Sequence, residues 1–248
     1  MSQGLTLPIK PIPAKVDNPR FMILYANPKV GKTSALAQLE NNLIIDLEDG
    51  TKYVDALAVQ ARTIEDLGKI AQMIREKNKE CGKNFYKRIT IDNCSDLEKI
   101  CLPYAAQLYR KSDSKNATWN GDDVRDIPFG AGYRALYKAL DRVIDMFKDL
   151  CDEFILVGHE ATKTKNIKGI DTEVETLSLA GGYGMDLLKR AEAVGHMYRK
   201  GNEVHIEFFG DDNVIMGSRP PHLSGEDVVI SVKNEDKTIT TFWDRVYK

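Results

Sequence analysis

The sequence predicts an α/β fold, with a mainly parallel twisted sheet flanked by helices and antiparallel strands toward the carboxyl end. Three observations predict it. Short apolar runs alternate with helix-patterned segments from Phe21 to Gly158. The first run leads into a loop containing glycine and lysine, and a helix follows at once. The 248 residues are 42% hydrophobic and 29% charged, ordinary for one α/β domain with a sizeable core.

Residues 1–19 contain Pro8, Pro11, Pro13 and Pro19 and read as an extended arm, since proline removes backbone donors. Phe21-Met22-Ile23-Leu24-Tyr25 reads as a buried strand and Thr33 to Leu39 as a helix. Leu43-Ile44-Ile45-Asp46 is a second strand. In the segment Thr63 to Lys79, Ile64, Leu67, Ile70 and Ile74 keep a helical period, and Thr63 with Asp66 forms a start signal. Arg88 to Asp92 is a third strand, followed by a helix over 95–110 opened by Ser95. Residues 112–132 are polar and read as a long loop, then Tyr133 to Leu150 is strongly helical. Phe154 to Gly158 is a further buried strand. Residues 161–182 are again polar and read as a loop. A helix around 183–191 and two or three hairpin-like strands between 193 and 230 complete the pattern. The core spans 20–232, and 233–248 reads as a carboxyl-terminal strand or tail. No internal repeat is visible.

A formal net charge of -2 excludes a general polycation, so nucleic-acid binding would need a local basic patch. The four cysteines have neither CxxC pairing nor zinc spacing, which fits buried thiols in a reducing compartment. There is no apolar signal core, and no run approaches the ~20 apolar residues of a membrane span. These features read as a soluble, cytoplasmic protein with no membrane partner.

Ala26-Asn27-Pro28-Lys29-Val30-Gly31-Lys32-Thr33 fits the P-loop pattern with alanine in place of the first glycine. Its setting between strand and helix is the one the chemistry needs. Backbone N–H groups of such a loop and the helix start surround an anion. Gly31 permits close backbone approach, Lys32 reaches β- and γ-phosphates, and the Thr33 hydroxyl is a ligand for Mg²⁺. Residues 26–34, including Ser34, therefore form the predicted nucleotide-binding set. A surface turn is the plainer alternative.

Carboxylates end several of the strands, where ligands of open parallel sheets bind. Asp92, followed by Asn93, stands where a second magnesium-holding residue belongs, acting through water. A capping aspartate is the alternative. Asp46 and Glu48 end the second strand, so Asp46, Glu48 and Asp92 are expected together near the γ-phosphate. Glu48 is the predicted general base for an attacking water, against a merely solvated acidic turn. His159 follows Gly158 at the end of another strand and could report the γ-phosphate to the next loop, or simply be a structural histidine.

This order of elements resembles the RecA-like P-loop NTPases, most of all the short phage-encoded ATPases associated with recombination and single-strand annealing. The resemblance runs from about residue 21 to residue 222. Leu43 to Glu48 resembles the strand bearing that family's catalytic glutamate, and Ile89 to Asn93 its magnesium-binding strand. Phe154 to His159, followed by Leu179-Ala180-Gly181-Gly182, resembles its sensor strand and second DNA-binding loop, with histidine where glutamine is usual. The resemblance implies ATP and Mg²⁺ as cofactors, and a DNA-stimulated ATPase acting on single-stranded DNA in recombination, annealing or replication. It also implies a homo-oligomeric ring or filament with ATP between subunits, a single-strand DNA-binding protein as a further partner, and a basic residue near Arg219 reaching a neighbour's ATP.

The two long loops support a nucleic-acid reading on their own residues. One carries Lys111, Lys115, Trp119, Arg125 and Phe129; the other carries Lys163, Lys165 and Lys168. Cations neutralise phosphates and aromatics stack on unpaired bases. Interspersed aspartates and glutamates leave two plain solvated loops as the alternative. A nucleotide or small-molecule kinase, a non-hydrolysing scaffold and a hexameric helicase are the competing functions. The sequence shows no arginine-rich lid for the first and no unwinding domain for the last, and Glu48 argues against the scaffold.

Overall fold

A computed structural model describes residues 7, 9–11, 17–113, 118–167, 170–210 and 216–248, with only the backbone described for 165–167, 170 and 172. Its elements run β1 (Phe21–Ala26), α1 (Lys32–Ala37), β2 (Asn42–Asp46), β3 (Ala58–Gln60), α2 (Ile64–Cys81), β4 (Arg88–Asp92), α3 (Cys94–Ser112), α4 (Ala131–Lys148), β5 (Glu153–Ile167) and β6 (Ile170–Leu177). There follow α5 (Tyr183–Arg190), β7 (Ala193–Lys200), β8 (Glu203–Glu207), β9 (Gly217–Ser218), β10 (Asp227–Lys233) and β11 (Ile239–Thr241).

The strands lie in the order β11-β10-β8-β7-β1-β5-β4-β2-β3. From β3 across to β7 every pairing is parallel. The extension through β8, β10 and β11 is antiparallel. The fold is thus the α/β P-loop architecture that the alternating pattern predicts. Strand β7 forms the expected hairpin with β8, Lys200 opposite Glu203, and also pairs in parallel beside β1, Tyr25 opposite His196.

Alternation along β1 explains how both faces are covered. Phe21, Ile23 and Tyr25 enter one core with residues of α2, α3, α4 and α5. Met22, Leu24 and Ala26 enter a second core with Ala35 and Leu36 of α1 and residues of β8 and β10. A strand buried on both faces has no polar alternation, as its apolar run indicates.

Thr63 and Asp66 close a reciprocal capping box at the start of α2. Helix α3 begins one residue before Ser95; its cap is Asn93, whose side chain accepts from Ser95 and Asp96 N–H groups. The predicted loop over 112–132 is partly helical: α3 reaches Ser112, and short 3₁₀ turns occupy Val124–Asp126 and Pro128–Gly130.

The predicted loop over 161–182 is largely a β-hairpin. Strands β5 and β6 pair antiparallel from Glu160 opposite Leu177 to Ile167 opposite Ile170. The carboxyl-terminal stretch packs into the second core rather than trailing. Trp243, Val246 and Tyr247 are buried there, and Trp243 Nε1 donates to Ala35 O at 2.8 Å. Arg88 lies over the Tyr247 ring and pairs with Glu153 at 2.6 Å. Cys94, Cys101 and Cys151 are buried free thiols, whereas Cys81 is exposed. Among the described residues no helix is long and apolar enough to cross a membrane.

Candidate functional site

Strand β1 ends at Ala26 and the chain turns through residues 27–31 into α1. The turn needs two left-handed residues, Lys29 at φ 66° and Gly31 at φ 108°. The φ of Gly31 calls for glycine, and a Cβ there would lie 2.9 Å from Arg199 Nη2, so the guanidinium would also have to shift. Lys32, 6% exposed, curls back over the loop and donates to Asn27 O at 3.1 Å. Burial pushes its pKa down, although Asp92, Glu48 and Glu160 pull the other way. A buried lysine with a field of carboxylates and few fixed partners is ready to meet phosphate.

Parallel pairing brings the carboxylates to the same edge. Asp46 and Asp92 are direct neighbours across β2 and β4. Thr33 Oγ1 donates to Asp92 Oδ2 at 2.7 Å. The other oxygen, Asp92 Oδ1, is buried without a hydrogen-bond partner. Burial pushes the Asp92 pKa up to about 6, against the Thr33 hydrogen bond that lowers it. A buried, half-satisfied carboxylate beside a threonine hydroxyl fits a divalent cation. Among the described residues no group of three or more His, Cys, Asp or Glu could hold a metal.

Asp46 corrects one expectation. It lies beside Asp92, but the hydrogen bonds of its carboxylate are all made to the turn that follows. Its carboxylate accepts from the N–H groups of Glu48, Gly50 and Thr51 and from the Thr51 hydroxyl, at 2.6–3.1 Å. Asp46 therefore builds the turn that presents Glu48. A Cβ on Gly50, at the end of this turn, would lie 3.2 Å from Thr33 Oγ1, so the turn leans on the start of α1.

Glu48 itself lies at the mouth of the site. Asn93 Nδ2 donates to Glu48 Oε2 at 2.6 Å, and His159 Nε2 stands 3.7 Å from the same oxygen. Asn93 Nδ2 also lies 3.4 Å from His159 Nε2. Glu48, Asn93 and His159 thus form one cluster, reaching the site from just past the ends of β2 and β4 and from the middle of β5.

Two contacts were not visible in the sequence. Asn27 Nδ2 donates to Glu160 Oε1 at 2.8 Å, and Glu160 Oε2 lies 3.0 Å from His196 Nε2. Arg199 donates to Val30 O through Nη2 at 2.9 Å and Nε at 3.2 Å. Both tie the phosphate loop to neighbouring strands. The first needs β5 beside β1, and the contacts of His196 and Arg199 need β7 on the other side of β1; no local pattern signals either. A groove of about 270 Å³ between Ser34, Arg199, Val204, Lys233 and Ile239 continues from the loop.

The remaining predicted residues stand apart from this cluster. Arg219 is exposed at the opposite end of the sheet, where its N–H donates to Glu192 O at 2.8 Å. Arg125 is engaged inward, with Nη1 donating to the buried Glu98 at 3.2 Å and Nε to Asp123 at 2.9 Å. Trp119 packs edge-on against Tyr109, with Arg110 over its ring. Lys163 Nζ donates to Leu179 O and Gly181 O at 2.6 and 2.8 Å. Lys115 and Lys168 lie outside the described residues, as does the side chain of Lys165.

A strand–loop–helix cradle with a Lys-Thr pair and a facing aspartate defines a P-loop nucleotide-binding protein. The sequence matches, over residues 18–238, the family described as an AAA domain, and the chain belongs to that family. The nucleotide-binding ATPase class follows from this membership together with the site. No curated protein matches the chain.

Proposed function

We propose that the chain hydrolyses ATP with Mg²⁺ and couples turnover to single-stranded DNA, as an oligomer acting in recombination, annealing or replication. The observation that carries the hydrolytic part is the convergence of Lys32, the Thr33–Asp92 pair and the Asn93-bound Glu48 at one sheet edge. Lys32 would sit among the phosphates, with Thr33 and Asp92 holding Mg²⁺, which neutralises phosphate charge when bound. Glu48, with one oxygen fixed by Asn93, is placed to take the proton of an attacking water. His159, beside Glu48, would sense whether the γ-phosphate is present.

The DNA part rests on the resemblance to recombinase ATPases and on the exposed cations and aromatics of the α3–α4 side. A kinase reading has less support, because the sequence shows no arginine-rich lid. ATP turnover measured with and without an oligo-dT strand tests the coupling. Stimulation supports the proposal; turnover indifferent to DNA leaves an ATPase and removes the DNA reading.

A further inference from the structure

Helix α4 turns its apolar residues inward and a row of cations outward. Arg134, Lys138 and Arg142 are exposed and recur every four residues, ~6 Å apart along the axis. Among the described residues none of them pairs with a carboxylate; Arg142 donates to the Tyr104 hydroxyl at 2.6 Å. Nearby acids on the same helix are engaged elsewhere. Asp141 takes Tyr183 and Arg190, and Asp145 takes Lys148 and Arg190.

Beside this row, between α3 and α4, lies a cleft of about 630 Å³ lined by Leu108, Tyr109, Phe129, Arg134 and Lys138 among others. Phe129 borders the cleft with its whole side chain in solvent, on a left-handed backbone at φ 58°. A bulky residue rarely adopts that conformation, and an aromatic rarely stays so exposed without a partner.

We propose that the α3–α4 cleft is a docking surface for single-stranded nucleic acid. The α4 cations take successive phosphates, and Phe129 stacks on an unpaired base. This inference rests on the single-stranded DNA reading above but moves the contacts off the loop residues Trp119, Arg125 and Lys163, which are engaged within the protein. A single strand suits the surface because it offers a run of phosphates and open base faces together. A duplex hides its base faces, and an acidic peptide has none.

The test is fluorescence anisotropy of a labelled oligo-dT titrated with the full chain across a salt series. The triple variant Arg134→Gln, Lys138→Gln, Arg142→Gln should bind more than ten-fold more weakly. Its log–log salt slope should fall by about 2, from three lost contacts at ~0.7 each. Phe129→Ala should weaken binding several-fold with the slope unchanged. A fluorescent ATP analogue should bind parent and variants alike, which shows that they fold. A parent that binds and a triple variant that binds equally well overturn the surface but spare the DNA reading. A parent that binds no oligo-dT, with or without ATP, overturns both. If polyglutamate competes as well as unlabelled oligo-dT and Phe129→Ala binds like the parent, the cleft is a general anion patch and the proposal fails.

Discussion

Asn93 has two tasks at one side chain. Its Oδ1 caps α3 by accepting from Ser95 and Asp96, while its Nδ2 holds Glu48. The orientation of Glu48 therefore depends on a helix end rather than on a mobile loop. Glu48→Gln removes the proton acceptor but keeps size and shape. ATP binding should be retained and turnover should drop by about 10²–10⁴-fold; a single-turnover assay within a few-fold of the parent would exclude Glu48 as the base. Asp46 supports the same turn from beneath. Burial opposes its ionisation, but the hydrogen bonds from Thr51, Glu48 and Gly50 outweigh burial and hold its carboxyl below the usual range. A depressed folded-state pKa stabilises the fold above the unfolded value, and that stabilisation is lost as pH falls through the folded value. Asp46→Asn should therefore cost about 1–3 kcal/mol near pH 7. The gap in melting temperature between variant and parent should narrow on acidification below about pH 4. A gap of constant size down to pH 3 would mean that the charge of Asp46 is not what holds the turn.

At the scale of elements, what was legible in the sequence was local. Strand, phosphate loop and α1 lie within 17 consecutive residues, Phe21–Ala37, so their composition and spacing report their contacts directly. The β5–β6 hairpin was missed because polar residues dominate it: Thr162, Thr164, Asp171 and Glu173 are exposed, against the buried Val174, Thr176 and Leu177. Polar composition argued for a loop, yet the alternation Thr162-Lys163-Thr164-Lys165 against Thr172-Glu173-Val174-Glu175 was a strand signal. Arg199 was beyond reach, because its partner Val30 is 169 residues away. That contact makes a testable link between the loop and β7. Gly31→Ala should meet both a strained backbone, worth ~1–3 kcal/mol, and the Arg199 guanidinium. Adding Arg199→Ala relieves only the second. Urea unfolding should show the double variant more stable than the sum of the two single losses predicts. Strict additivity would mean that Arg199 moves aside at no cost.

At the scale of the molecule, Arg219 and the phosphate loop occupy opposite ends of the sheet. Ser218 pairs with Ala193, and Ala193 pairs with Met22 near the start of β1. The loop begins beyond Ala26, so roughly 15 Å of strand separates Arg219 from its own site. If Arg219 acts on ATP at all, it acts on a neighbour's. Such an interface is head-to-tail, the kind that builds rings and filaments. Arg219→Ala subunits should then bind ATP normally and hydrolyse it poorly, because a cation supplied in trans stabilises charge developing on the γ-phosphate. Glu48→Gln subunits fail for a different reason, within their own site. Mixing the two inactive variants creates interfaces that pair an intact Glu48 on one subunit with an intact Arg219 on the next. Activity should partly return in the mixture, although neither component turns over alone. Light scattering must show mixed oligomers for the comparison to count. Mixed oligomers without activity would remove Arg219 from the reaction, and full turnover by Arg219→Ala alone would do so without any mixing.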